Sequence, residues 1–110
     1  MHGISLEYEV VGEARTCSSS AELKRIVYEA GKKVSTVKEM QLEAKFAAGS
    51  EDATFMMEQV QRQGGLATYA VFGTTLAAGH HHEEFDIDED VLSITLHTWL
   101  ATLEEIWREE

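Results

Sequence analysis

Three consecutive histidines are the residues of this chain best suited to chemistry. His80, His81 and His82 lie inside the chain, and neutral imidazole is the commonest transition-metal ligand in proteins. Adjacent side chains on a loop point in different directions, so one or two of these rings can reach one ion. A structural metal site needs three or four ligands, and no His-x-x-x-His pair accompanies the triplet. The sequence therefore leaves the possibility of a complete metal site open. The simpler explanation is an exposed loop that has no function or that binds metal adventitiously.

A second candidate site is the small-residue loop Gly49-Ser50-Glu51-Asp52-Ala53, which leads into a predicted helix. Backbone N–H groups and the positive end of the helix dipole could hold a carboxylate or another anion there. An ordinary serine cap with acidic residues in the first turn explains the same pattern. Spacing alone favours the ordinary cap.

The cysteine content and the N-terminus indicate a compartment. Cys17 is the only cysteine, which excludes an intramolecular disulfide framework, and no histidine lies near it to support a catalytic thiol. The N-terminus lacks the basic and apolar regions of a signal peptide, and no apolar run is long enough to span a membrane. We therefore expect a cytoplasmic protein.

The charge of the chain is concentrated in its second half. Residues 1–50 carry seven acidic and seven basic residues, whereas residues 51–110 carry thirteen acids against Arg62 and Arg108, so the net charge of −11 arises entirely there. Such a surface repels phosphate backbones, so nucleic-acid binding is not expected. The densest acidic run, 83–90, is typical of a solvated loop and helix start, although it could also attract a cation.

Three segments carry patterns of strands. Apolar and polar residues alternate from Ile4 to Val10, which predicts a half-buried strand. The stretch from Val34 to Glu43 suggests a second strand less clearly. The β-branched and aromatic residues between 66 and 72 predict a third, buried strand.

Three helices are predicted between and after these segments. Ser19 and Glu22 form a capping-box pattern before a helical apolar face that ends near Lys33. The second helix follows Ser50 and is terminated by Gly64-Gly65. The third is capped by Asp86 or Asp88 and reaches about Arg108. Its apolar stripe consists of Leu92, Leu96, Trp99, Leu100, Leu103 and Trp107.

The order strand-helix-strand-helix-strand-helix predicts an α/β (or α+β) fold, a small layered unit with helices packed on a short sheet in one domain, 1–110. A three-stranded sheet has two open edges. The last helix is also apolar beyond its main stripe, at Val91 and Ile94. Either its own sheet covers this helix, or the helix pairs with a second copy or another polypeptide.

Two motifs together resemble a known family. The stretches 49–57 and 78–89, in this order and spacing, are similar to the C-terminal part of the dinuclear-metal amidohydrolases, which include aminoacylases, metallopeptidases and, most similar, aminobenzoyl-glutamate hydrolases. Residues 8–14 resemble the end of the family's lid domain. The resemblance implies that about 4–14 belong to that lid and about 15–110 to the catalytic domain.

The resemblance also implies roles for individual residues. The family's last metal ligand lies four positions before the aromatic residue of the Phe-Asp-Ile-Asp-Glu stretch, which here corresponds to His81. The implied substrate-pocket residues are Gly49, Ser50, Glu51, Asp52 and His80. In the complete enzyme, zinc or manganese would polarise an amide carbonyl of an N-acyl or aminobenzoyl amino acid and lower the pKa of the attacking water.

The departure from the family is large. No residue here matches the other metal ligands or the general-base glutamate, so no catalytic residue is assigned, and the chain alone need bind no metal. One ligand does not hold a two-metal centre. The resemblance therefore predicts a fragment that is inactive alone and that pairs with a missing N-terminal portion or forms a homodimer. Two alternatives remain: a small acidic self-associating or partner-binding protein without catalysis, and a metal-buffering protein using His80 to His82.

Overall fold

The computed structural model describes residues 3–13, 15–16, 18–44 and 52–109. These ranges contain three helices, α1 (Ala21–Lys32), α2 (Ala53–Arg62) and α3 (Asp90–Glu109). The described ranges contain no strand, and their only β-type pairing is an isolated antiparallel bridge between Leu76 and Ile87. The described part of the chain is therefore all-α.

The predicted α/β (or α+β) fold with a short sheet is wrong. The alternating segment at 4–10, the segment at 34–43 and the apolar segment at 66–72 have no regular secondary structure in the described residues. Alternation reports which side chains suit a half-buried strand, but a strand exists only where its backbone pairs with a neighbour. No described segment forms backbone hydrogen bonds of a β-ladder with any of these three segments, and Ile4 is 87% exposed.

The predicted helices are confirmed, and α1 begins one residue later than its capping pattern suggests. Ser20 is the N-cap and its hydroxyl makes no capping hydrogen bond. That hydroxyl instead accepts the backbone N–H of Ala67 at 3.0 Å, while the Ser20 N–H donates to the Ala67 carbonyl at 2.8 Å. The serine-rich turn thus joins the start of α1 to the chain after α2.

The buried face of α1 consists of Ile26, Val27, Ala30 and Gly31. Ala30 is completely buried. A Cβ atom added at Gly31 would lie 2.6 Å from Met40 Cε and 3.5 Å from the γ-methyl of Thr98. Glycine at this position therefore leaves the space in which the Met40 side chain lies, beside α3.

The face that α3 turns toward α1 is formed by small and β-branched residues. Thr98 is 1% exposed and Thr102 is also buried. Their hydroxyls donate to the carbonyls of Ile94 and Thr98, each at 2.8 Å, so burial leaves neither hydroxyl without a partner. Threonines that satisfy their own polar groups in this way let two helices pack closely.

The apolar stripe that the sequence indicates on α3 faces away from α1. Leu96 is 58% exposed and Trp107 is 69% exposed. Trp99 makes an edge contact with Phe72, with ring centroids 5.9 Å apart. The other exposed members of the stripe are Leu92, Leu100 and Leu103. The side of α3 that includes Val91 and Ile94, off the main stripe, is the more buried one.

α2 is attached to the segment before α1 by polar contacts of side chains from both. Gln61 donates to the Ser18 carbonyl at 2.8 Å, and Arg15 pairs with Glu58 at 3.0 Å. After α2, Gly64 takes φ +82°, which ends the helix as the Gly64-Gly65 pattern predicts.

The dimensions of the chain are those of an open structure. Its Cα radius of gyration is 18.7 Å, whereas a compact domain of this length has about 13 Å. Among the described residues, no helix has both the length and the apolar character needed to cross a bilayer.

Replacing Ala30 with leucine tests the α1–α3 contact. Because Ala30 has no free space around it, Ala30→Leu should lower the free energy of unfolding by about 1–3 kcal/mol. Urea denaturation followed by circular dichroism measures this loss. Arg25→Leu, at an exposed position of the same helix, is the control and should change stability by less than about 0.5 kcal/mol. Equal effects of the two variants would contradict the packing described.

The ion pair between α1 and α3 predicts a pH dependence. Lys33 Nζ lies 2.6 Å from Glu105 Oε1, and this hydrogen bond lowers the pKa of the Glu105 carboxyl below its ordinary 4.5. A carboxyl whose pKa is lowered in the folded state adds stability above its ordinary pKa, and that stability is lost as pH falls through the lowered value. Glu105→Gln should therefore be less stable than wild type at neutral pH, and the difference should shrink below pH 4.5. If denaturation gives the same difference in unfolding free energy between wild type and Glu105→Gln at neutral pH and below pH 4.5, the stabilising role of this ion pair is refuted.

Candidate functional site

The three histidines lie on a loop that its own backbone closes. We call residues 77–86 the histidine loop. The Ala77 N–H donates to the Asp86 carbonyl at 3.3 Å, next to the bridge between Leu76 and Ile87. This short antiparallel contact fixes both ends of the loop, directly before α3.

A tight turn at the tip of the histidine loop places His81 in an unusual backbone conformation. The His82 N–H donates to the Gly79 carbonyl at 3.2 Å, which makes His80 and His81 the central residues of a four-residue turn. His81 takes φ +65°, and no other described residue except glycine has a positive φ. A left-handed conformation costs a residue with a Cβ roughly 1–2 kcal/mol. Such a residue is a functional candidate, since glycine would fit this position without strain.

The two flanking imidazoles are held by contacts within the loop. His80 stacks on Phe85 with ring centroids 5.2 Å apart. His82 Nδ1 accepts the Glu84 N–H at 3.1 Å. The exposed His81 side chain has no hydrogen bond, ion pair or ring contact within the part of the chain that the structure describes. All three histidines are exposed, and among them His81 is the one whose ring makes no contact with the rest of the loop.

Asp86, the last residue of the loop, and Asp88, which follows it, accept hydrogen bonds from nearby backbone N–H groups. Asp86 Oδ1 accepts the Ile87 N–H at 2.9 Å, and Asp88 Oδ1 accepts the Asp90 N–H at 3.1 Å. Asp88 thereby supports the start of α3, one of the two caps that the sequence suggests. These two carboxylates thus accept backbone hydrogen bonds at the end of the loop and at the start of α3.

The residues described do not by themselves build a metal centre. Within residues 3–13, 15–16, 18–44 and 52–109, no group of three histidine, cysteine or carboxylate side chains is placed to hold an ion. Without two further ligands placed beside it, His81 does not provide the three or four ligands that zinc requires. The complete metal site left open by the sequence is therefore absent from the described residues.

The predicted substrate residues are only partly described. Gly49, Ser50 and Glu51 lie outside the described residues. Asp52 is exposed and is itself the N-cap of α2, without a side-chain capping hydrogen bond, so the predicted serine cap with acidic residues in the first turn is wrong. No described contact joins Asp52 to His80 or to the rest of the histidine loop.

Sequence reasoning did not identify the contact between His80 and Phe85 or the bridge that closes the loop. The signal was present in part, because Phe85 is the first apolar residue after the triplet. Which of the three rings is left without a contact could not be read from the sequence, since this depends on how the loop folds around them.

The resemblance to aminobenzoyl-glutamate hydrolases is confirmed by curated relatives. The chain is 42% identical over 102 residues to the indole-3-acetyl-aspartic acid hydrolase of Enterobacter agglomerans, and to the same extent to a p-aminobenzoyl-glutamate hydrolase subunit of Escherichia coli. It is 32% identical over 103 residues to a homolog of that subunit from Haemophilus influenzae.

These matches cover most of this chain and little of the relatives. They include 93% of the chain but 23% of each of the first two relatives. The chain thus spans about a quarter of the length of the relatives it matches. No protein-family model matches the chain, and no solved structure does.

A zinc titration tests whether this chain forms a metal site by itself. Because His81 has no partner ligands among the described residues, the isolated chain should bind Zn²⁺ no more tightly than an ordinary exposed histidine. Isothermal calorimetry should give the same weak isotherm for wild type and His81→Ala. Stoichiometric binding at about micromolar concentration that His81→Ala removes would mean that this chain completes a site by itself.

Proposed function

We propose that this chain is a piece of a metal-dependent amidohydrolase that cleaves N-acyl or aminobenzoyl amino acids. The observation that carries the proposal is 42% identity, over 93% of the chain, to two hydrolases. Their names describe an aspartate or a glutamate joined to an aromatic acyl group. The substrate class that follows is an aromatic acyl group in amide linkage to an acidic amino acid.

Within the complete enzyme, His81 contributes one imidazole to the metal centre. Three observations support this role. The backbone of His81 is held at φ +65°, its side chain is exposed, and its two neighbours are engaged by Phe85 and by the Glu84 N–H. A bound zinc or manganese ion would supply a Lewis acid and a more acidic water, and this chain's share is one positioned nitrogen.

The remaining ligands and the general base belong to polypeptide equivalent to the three quarters of the relatives that this chain does not span. The chain alone is then inactive, because a single imidazole holds no dinuclear centre. His80, held against Phe85, and the residues Gly49, Ser50, Glu51 and Asp52 contribute to the substrate pocket of the assembled enzyme. We place the protein in the cytoplasm, in keeping with its single cysteine.

A second candidate function is self-association without catalysis. The exposed apolar stripe on α3 favours it, since uncovered apolar faces of this kind mark interaction surfaces. Under this alternative the chain forms a homodimer through α3 and contributes to no hydrolytic site. Sedimentation velocity over a range of concentrations distinguishes a dimer from a monomer.

A chimeric enzyme tests the hydrolase proposal. This chain would replace, in the E. coli relative, the 102 residues that it matches. The chimera should release aminobenzoate from p-aminobenzoyl-glutamate. His81→Ala should reduce kcat/KM at least about 100-fold and lower the bound metal, because loss of a metal ligand weakens the whole centre.

The control is His97→Ala, which changes an exposed histidine of α3 outside the histidine loop. This variant should keep the activity and metal content of the parent chimera. A folded chimera without activity, or one in which His81→Ala and His97→Ala behave alike, would count against the proposed role of His81.

A further inference from the structure

We propose that the uncovered apolar face of α3 is the docking surface for polypeptide equivalent to the part of the relatives that this chain does not span. We call this face the outer face; its members are Leu92, Leu96, Trp99, Leu100, Leu103 and Trp107. The inference rests on the proposed function, since it assigns the covering partner to the same enzyme.

α3 has two distinct faces that can be packed. At about 100° per residue, the six outer-face residues fall within an arc of about 100° along the whole helix. Thr98 and Thr102, which are buried toward α1, point roughly 110–150° away from the centre of that arc. A helix with one face already packed and a second continuous apolar face lies between two layers of protein when both are covered.

The exposed area of the chain is too large for a finished domain. Its accessible surface is 9344 Å², whereas a folded monomer of this mass exposes about 6,100 Å². Part of this excess lies on residues 3–13, and part lies on the outer face, whose six members are 38–69% exposed. The radius of gyration of 18.7 Å is likewise larger than the roughly 13 Å of a compact domain of this length. The outer face runs along most of the 20 residues of α3, so its partner must be of comparable length.

Charge argues against a second copy as that partner. All of the net charge of −11 lies in residues 51–110, the half of the chain that contains α3. A two-fold pairing through the outer face would bring two such acidic halves together, and like charges across an interface oppose association. A polypeptide of different sequence has no such constraint.

The relatives supply a partner of the required size. The chain accounts for only 23% of the length of the first two relatives, so about three times its own length of polypeptide is available to cover the outer face. The outer face also lies on the helix that follows the histidine loop. α3 begins at Asp90, four positions after the end of the histidine loop, so docking along α3 would hold this loop beside that polypeptide.

Co-purification in trans tests the docking surface. The affinity-tagged full chain would be co-expressed with the E. coli relative from which the matched residues have been deleted. Wild type should retain the truncated relative on the column and bring it into the soluble fraction. Leu96→Glu should lower its yield at least about tenfold, because a charge would be buried in an apolar contact.

The matched control is His97→Glu, which adds the same side chain at an exposed position of α3 outside the outer face. It should retain the truncated relative as wild type does. Circular dichroism of each chain variant checks that α3 still forms.

Three outcomes would overturn the inference. Wild type could fail to retain or solubilise the truncated relative, Leu96→Glu could retain it as well as His97→Glu does, or the chain alone could sediment as a dimer that Leu96→Glu dissociates. The last result assigns the outer face to a second copy. Docking in trans together with an inactive chimera would instead reject the proposed hydrolysis while leaving the docking surface in place.

Discussion

α1 and α3 pack against each other where Gly31 and Thr98 leave little side-chain volume between the two helices, and the rest of the described structure depends on this contact. The missing Cβ of Gly31 leaves room for Met40, and the buried threonines of α3 satisfy their hydroxyls on their own helix. On α3, this contact is made without the leucine and tryptophan side chains of the apolar stripe. The large apolar residues of α3 are consequently left on its other side.

The two faces of α3 connect the candidate site with the exposed apolar surface. The histidine loop leads directly into the helix, with Asp88 accepting the N–H of Asp90 at its start. The orientation that α1 imposes on α3 therefore also sets the position of the loop. Polypeptide covering the outer face would meet the loop that carries His81, whose backbone is already held in a left-handed conformation. Fold, exposed surface and proposed function thus follow from one packing arrangement.

The sequence predicted the helices well because their signals are local. Apolar spacing, the Gly64-Gly65 stop and an aspartate before α3 are contained within a few residues each. The strands were wrong because pairing requires a neighbour, and no described segment provides one to residues 4–10 or 66–72. The sequence left open whether the chain itself covers the apolar stripe of α3; the structure buries Thr98 and Thr102 instead, on the side that meets Gly31. For the site, sequence identified the histidine triplet, but only the turn distinguishes His81 from its neighbours.

The most direct test of this account is nuclear Overhauser spectroscopy of the isolated chain. The γ-methyl of Thr98 should show cross-peaks to the α-protons of Gly31, since a Cβ placed there would lie 3.5 Å from that methyl carbon. The methyl groups of Leu96 and Leu103 should show none to α1. Cross-peaks from those leucines to Ile26 or Ala30, without the one between Thr98 and Gly31, would mean that the apolar stripe forms the core. The two-faced arrangement of α3 would then be contradicted.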